Sequence, residues 1–164
     1  MMQTSLSESA IAEAKRLSLE AICQDDETVQ SRLLAEARSV LDNALGSEPN
    51  NPNLHHMLGL CWYDDPERSD KIRQAIEFHF KTAKQLAPSA PFPSLYLGHF
   101  YFDEGRYVEA LPLFQQVDES YFEDIGQMPA CREISPPGFT FPAPAASIPR
   151  SLRISRAPCR RLAR

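Results

Sequence analysis

The stretch LGHFYFDEGRYVEALPLF, residues 97–114, sets Gly98 deep in an apolar run of helical length and Gly105 between two such runs. Glycine in a helix interior costs on the order of 1 kcal/mol relative to alanine, so something must offset it. Close packing of a second helix does. A side chain at Gly98 would hold the two helices apart, and contact among the surrounding Leu, Tyr and Phe outweighs the propensity loss. Gly105 has another use, because the turn after Asp103-Glu104 calls for positive φ.

The arrangement recurs. Leu58-Gly59 stands 39 residues before Leu97-Gly98, and each glycine is followed three residues later by a large aromatic, Trp62 and Tyr101. Further along, Phe80 precedes Ala83 and Phe114 precedes Val117 by the same three residues. Outside these segments the apolar residues keep helical spacing. Ala10, Ala14, Leu17 and Ala21 form one stripe after a capping-box spacing of Ser5 to Glu8. Leu33/Leu34, Ala37, Val40/Leu41 and Ala44/Leu45 form a second, with Gly46 as its expected stop. Asn51-Pro52 supplies an N-cap and first-turn proline for a third helix to about Tyr63, and DDPERSD reads as a loop. Ile72, Ile76, Phe80, Ala83 and Leu86/Ala87 mark a fourth helix, and Pro91 and Pro93 open a fifth that ends near Asp103. A sixth is expected from Arg106 to about Val117, with a mild kink where Pro112 removes a bond to the Val108 carbonyl. No segment alternates like a strand. The expected fold is all-α, built from antiparallel helix hairpins.

These residues resemble the tetratricopeptide repeat (TPR), a 34-residue helix hairpin with Leu-Gly, an aromatic three later, Gly at the turn, then Ala, aromatic, Ala and a closing Pro. From Pro91 the match runs through Leu97, Gly98, Tyr101, Gly105, Tyr107, Ala110 and Phe114. The preceding repeat, from Pro52, matches at Leu58, Gly59, Trp62, Phe80, Ala83 and Pro88 if five extra residues sit in its turn. A degenerate N-terminal repeat closes with Ala37, Ala44 and Pro49. The resemblance implies a TPR-like solenoid of two clear repeats and one degenerate repeat over residues 1–127. His55 and Ser94 depart from it, standing where a bulky residue is usual.

The resemblance also implies a function. In the TPR family the first helices of successive repeats line a groove that holds a peptide. Carried over by register, the groove residues here are Asn53, His56, Leu60, Tyr63 and Asp64, then Phe92, Leu95, His99, Phe102 and Asp103. This set is aromatic and weakly acidic, and it lacks the Lys/Arg/Asn cluster with which some co-chaperone members grip a C-terminal carboxylate. A peptide with apolar anchors and basic flanks fits it better.

Composition agrees with a non-catalytic interaction module. Of 164 residues, 43% are hydrophobic and 24% charged, as in an ordinary globular protein. No GxSxG, HExxH or GxxxxGK[ST] motif is present, and the plentiful Asp and Glu read as solvated helix faces. The expectation is no enzyme activity and no cofactor. His55, His56, His79, His99 and Cys61 raise the question of a metal, but His55 and His56 point about 100° apart on a helix and chelate poorly. No metal site is expected. The four cysteines (Cys23, Cys61, Cys131, Cys159) form no CxxC pair, and with no apolar leader or membrane-length segment the expectation is a cytoplasmic protein with reduced thiols.

Residues 128–164 change character. They hold seven Arg, one Glu (Glu133) and half of the 14 prolines, a charge of +6, which leaves −11 on residues 1–127 from the total of −5. The expectation is a disordered tail. An arginine-only basic segment beside Pro, Ala and Ser is also what GC-rich codons give out of frame. As an evolved segment it would be either an intramolecular counter-charge for the acidic body or a basic arm contacting nucleic acid or another anionic partner, the latter being the alternative function for the chain; a nucleic-acid partner is otherwise disfavoured. The repeats stop where another helix should cover Leu113, Phe114 and Val117, so weak self-association through that end is expected.

Overall fold

The computed structural model describes residues 6–117, and these form six α-helices with no strand among them. They are α1 (Leu6–Ile22), α2 (Glu27–Ser47), α3 (Pro52–Tyr63), α4 (Asp70–Leu86), α5 (Pro91–Asp103) and α6 (Tyr107–Gln115). The fold is all-α, as the periodicity predicts. Expectations for Ser5, for the boundary at residue 127 and for the basic tail lie outside the described residues. No described helix is long and apolar enough to cross a membrane.

Each helix start has a local cause. The Asp26 carboxylate accepts from the amides of Thr28 and Val29 at 2.8 and 3.4 Å, tying down donors that α2 would leave unpaired. Asn51 does the same for α3, accepting from Asn53 and Leu54, and Pro52 occupies the first turn, where its missing N–H is no loss. Asp26 is a cap that the break at Cys23-Gln-Asp-Asp-Glu conceals. Two boundaries differ from expectation. Gly46 lies inside α2, which continues to Ser47 and is capped by Glu48. At the other end α6 begins at Tyr107, with Arg106 as its cap, and runs through the exposed Pro112.

Sequential helices pack in pairs, α1 on α2, α3 on α4 and α5 on α6, and the pairs adjoin through α2 on α3 and α4 on α5. Connections of a few residues between packed helices make each pair antiparallel. The expected stripes turn inward: Ala10, Ala14, Leu17 and Ala21 meet Leu33, Leu34, Ala37, Leu41 and Ala44, and with Leu54, Leu58 and Cys61 they form one core. A second core gathers Ile72, Ile76, Phe80, Leu97, Phe100, Tyr101, Ala110 and Leu113, and the half-buried Leu60 packs against both.

The helix glycines sit at the closest contacts. A Cβ on Gly59 would stand 2.6 Å from the Phe80 ring, and one on Gly98 would stand 2.7 Å from the Phe114 ring. Real carbon atoms do not approach so closely, so each glycine is what lets an aromatic of the second helix lie on the first. The path from Gly59 to Phe80 is 21 residues and from Gly98 to Phe114 is 16, so the same contact closes over five extra residues. Gly105 has φ 75° in the α5–α6 turn, the left-handed conformation that glycine tolerates.

Those extra residues are not slack. The loop after α3 carries Asp65, whose side chain is only 4% exposed, and its carboxylate meets Arg38 of α2 at 2.8 Å. Asp65 also accepts from the Ser31 hydroxyl at 3.0 Å and the Glu67 amide at 3.2 Å. Arg38 in turn donates to the Cys61 carbonyl and lies 3.9 Å over the Trp62 ring. Cys61 itself is a buried free thiol.

Candidate functional site

The residues assigned to a groove come from α3, α5 and their C-terminal ends, and the structure brings α3 and α5 into contact. They do not share one environment. Asn53 and Asp103 are exposed, Leu95 is buried in the interior, and His56, Leu60, Tyr63, Asp64, Phe92, His99 and Phe102 are half-buried. The last seven, with Asn53 and Asp103, make the accessible part of the set.

Aromatic rings link much of it. His56 of α3 lies 6.2 Å from Phe92 and 5.5 Å from Tyr96, both on α5. Tyr96 stacks on Phe80 at 6.0 Å and approaches His99 at 6.3 Å, and His99 meets Phe114 edge-on at 5.4 Å. Phe102 packs edge-on against Tyr107 at 5.3 Å. Tyr96 thus joins the two helices, and the register argument missed it. The signal was available: Phe92, Tyr96, His99 and Asp103 fall at i, i+4, i+7 and i+11, one continuous face of α5.

At the end of this face the Tyr63 hydroxyl donates to Asp103 at 2.5 Å, fastening the C-terminal end of α3 to that of α5. Burial and the adjoining carboxylate push the phenol far above its usual range. Arg68 closes over the same ring at 5.7 Å and donates to the Tyr63 carbonyl. A small recess beside this contact is lined by Tyr63, Arg68, Arg73, Ile76, Phe100, Asp103 and Glu104.

The two histidines of the strip are uncharged near neutrality. Burial, aided by the charge of Lys15, pushes His56 down to about 4. Burial also lowers His99, against the opposing pull of Asp103. The His56 Nδ1 atom is buried with no hydrogen-bond partner. The strip therefore offers ring faces and edges, and its formal charge comes from Asp64 and Asp103. Among the described residues no three His, Cys, Asp or Glu side chains cluster as a metal centre would require.

The residues assigned to repeat packing are mostly interior. Leu58, Phe80, Ala83, Leu97, Tyr101 and Ala110 are buried, Trp62 and Phe114 are half-buried, and Pro88 is exposed beyond the end of α4. No family model matches this chain, and no curated protein sequence matches it.

Proposed function

We propose that the chain is a TPR-like solenoid fragment acting as a non-catalytic protein–protein interaction module. A peptide segment would lie along α3 and α5, anchored by apolar side chains on the strip around His56, Phe92, Tyr96 and Phe102, with basic flanks near Asp64 and Asp103. The observation that carries this reading is the repeated contact of a helix glycine with a phenylalanine from the next helix, Gly59 with Phe80 and Gly98 with Phe114. That contact supports the repeat register, and the register makes α3 and α5 the first helices of successive units. A half-buried, uncharged aromatic surface suits peptide anchors, since rings give large contact area for little lost conformational freedom.

A peptide-display selection against the full chain tests the proposal. Selected peptides should carry aromatic or aliphatic anchors flanked by Lys or Arg. Phe92→Ala and Phe102→Ala should each weaken them by about tenfold or more while leaving the helical circular dichroism intact. Peptides that bind both variants as well as the parent would place recognition on another face.

A further inference from the structure

His55 of α3 and His79 of α4 meet head-on, with their Nδ1 atoms 3.1 Å apart. On its other side, His55 Nε2 lies 3.1 Å from the Pro49 carbonyl oxygen. A carbonyl only accepts, and a neutral imidazole has a single N–H. His55 therefore donates from Nε2 to Pro49 and presents a lone pair at Nδ1. His79 spends its own N–H on that lone pair, which leaves His79 Nε2 unprotonated. Two protons thus saturate the chain of bonds from His79 through His55 to Pro49.

Acid has little room in this arrangement. A third proton can enter only at His79 Nε2, and it places a full charge on a half-buried ring. A fourth would go to His55 Nδ1, where it meets the proton of His79 and parts the two rings. No carboxylate compensates. Phe78 flanks the pair, 6.2 Å from His55 and 5.1 Å from His79. Glu48, in the turn before α3, is engaged by the Asn51 side chain at 2.8 Å. Of the helices packed on α4, α3 brings His55 to bear on His79, and α5 brings no charge to it. Burial, aided by His55, pushes His79 down to about 4 from an ordinary 6.5. The other hairpin shows that packing alone does not call for the pair. Ser94 stands 39 residues after His55, and Leu113 precedes Phe114 as His79 precedes Phe80. Both Ser94 and Leu113 are buried, and that hairpin closes without imidazoles.

We propose that the His55–His79 pair is an acid-sensitive clasp, which ties α3 to α4 while both rings are neutral and lets go as they take up protons. His55 is 5% exposed and His79 is half-buried, so the first proton arrives at the His79 side, beside the exposed Phe78. The direction of the effect follows from linkage. His79 holds a proton less readily in the folded chain than in the unfolded one. Its contribution to stability is therefore complete above about pH 6.5 and is lost as pH falls toward about 4. This window lies above that of an ordinary carboxylate. His56 and His99 belong to the aromatic strip, where Lys15 and Asp103 respectively bear on them, and they stand outside the pair.

The test combines urea denaturation with nitrogen-15 magnetic resonance of the imidazoles, both on the full chain. The double variant His55→Ser, His79→Leu copies the residues of the other hairpin and keeps His56 and His99, so the difference from the parent isolates the pair. Between pH 7 and pH 5 the unfolding equilibrium constant of the parent should rise about tenfold more than that of the variant. The full linkage is larger, but a half-buried ring is partly screened by solvent. At neutral pH the spectrum should place the proton of His55 on Nε2 and that of His79 on Nδ1, with a nitrogen–nitrogen coupling across their bond. Parallel acid profiles, a His79 proton on Nε2, or absence of that coupling would each overturn the proposal. If the double variant does not fold, the His79 resonance of the unaltered chain decides. A midpoint well below 6.5 supports the clasp, and one at 6.5 refutes it.

Discussion

The Tyr101 hydroxyl donates to Glu77 at 2.8 Å, and this contact is the counterpart of Arg38 lying over Trp62 one unit earlier. Arg38 and Glu77 are 39 residues apart, as are Trp62 and Tyr101, so each reaches an aromatic 24 residues ahead. The chemistry differs while the placement is kept: a guanidinium covers a ring face in one case, and a carboxylate accepts a phenol proton in the other. Arg106 completes the second arrangement, donating to Glu77 and lying 4.1 Å over Tyr101.

The Glu77 cluster predicts an acid transition. Burial opposes ionisation of this carboxyl, but hydrogen bonds from Arg106, Lys81 and Tyr101 overcome it and hold the group at about 2 against an ordinary 4.5. A carboxyl depressed on folding contributes stability that is fully present above its unfolded value. That contribution is lost as pH falls through the folded value. Melting temperature should therefore drop between about pH 4.5 and pH 2, and Glu77→Gln should flatten that part of the profile. A parallel decline in both proteins would assign the acid sensitivity elsewhere.

The glycines predict a graded series. Gly59→Ala drives a methyl group into Phe80, a ring with no exposed surface, and should cost about 2–3 kcal/mol. Gly98→Ala meets Phe114, which is half-buried where Phe80 is fully enclosed, so its loss should be smaller. Gly98→Leu adds three more carbons at the same contact and should cost more than about 2 kcal/mol. Gly105→Leu should cost less, because it meets open space and only the backbone strain of positive φ, about 1–2 kcal/mol. Gly46→Ala, with nothing within 4 Å, should stabilise α2 by about 1 kcal/mol. Urea denaturation orders the set, and equal midpoints for Gly59→Ala and Gly46→Ala would refute the packing argument.

Arg38 predicts a large effect from one side chain. Its removal strands Asp65, 4% exposed, without its countercharge. Arg38→Ala should cost about 3–5 kcal/mol, the range for breaking a buried pair from one side. Ser31→Ala removes one neutral donor to the same carboxylate and should cost about 1 kcal/mol. If the two variants denature alike, the ion pair does not hold the loop.

Cys61 predicts kinetic protection. The thiol is fully buried, and burial pushes its titration upward, with the Ser18 hydroxyl opposing weakly at 3.5 Å. Thiol reagents should label it at the rate of unfolding rather than at the rate of an open thiolate. Prompt labelling of the native chain would show that the first core opens locally.

Much of the fold was legible because apolar stripes and caps act over a few residues. Ala10, Ala14, Leu17 and Ala21 follow one helix face, and all four are buried. Gly46 shows the limit: glycine after an apolar stripe often ends a helix, yet here the backbone keeps helical φ and α2 continues. The residues missed are those whose partners are far along the chain. Asp65 reads as one more loop acid until Arg38, 27 residues earlier, closes on it. His79 reads as a helix-face histidine until α4 folds back on α3 and brings it to His55. For the groove set, register alone does not separate Leu95, which faces the interior, from Tyr96, which faces His56.

The packing order has a mechanical consequence. The principal contacts join each helix to its neighbour in sequence or to the next but one, α1 with α3 and α3 with α5. Tension applied at residues 6 and 117 would load these contacts in series. The chain should therefore extend as a zipper, one hairpin per rupture, each event releasing the length of a helix pair. The strongest resistance should fall where Arg38 rivets the loop after α3 to α2. A pulling trace with that signature would measure, hairpin by hairpin, how stability is distributed along the array.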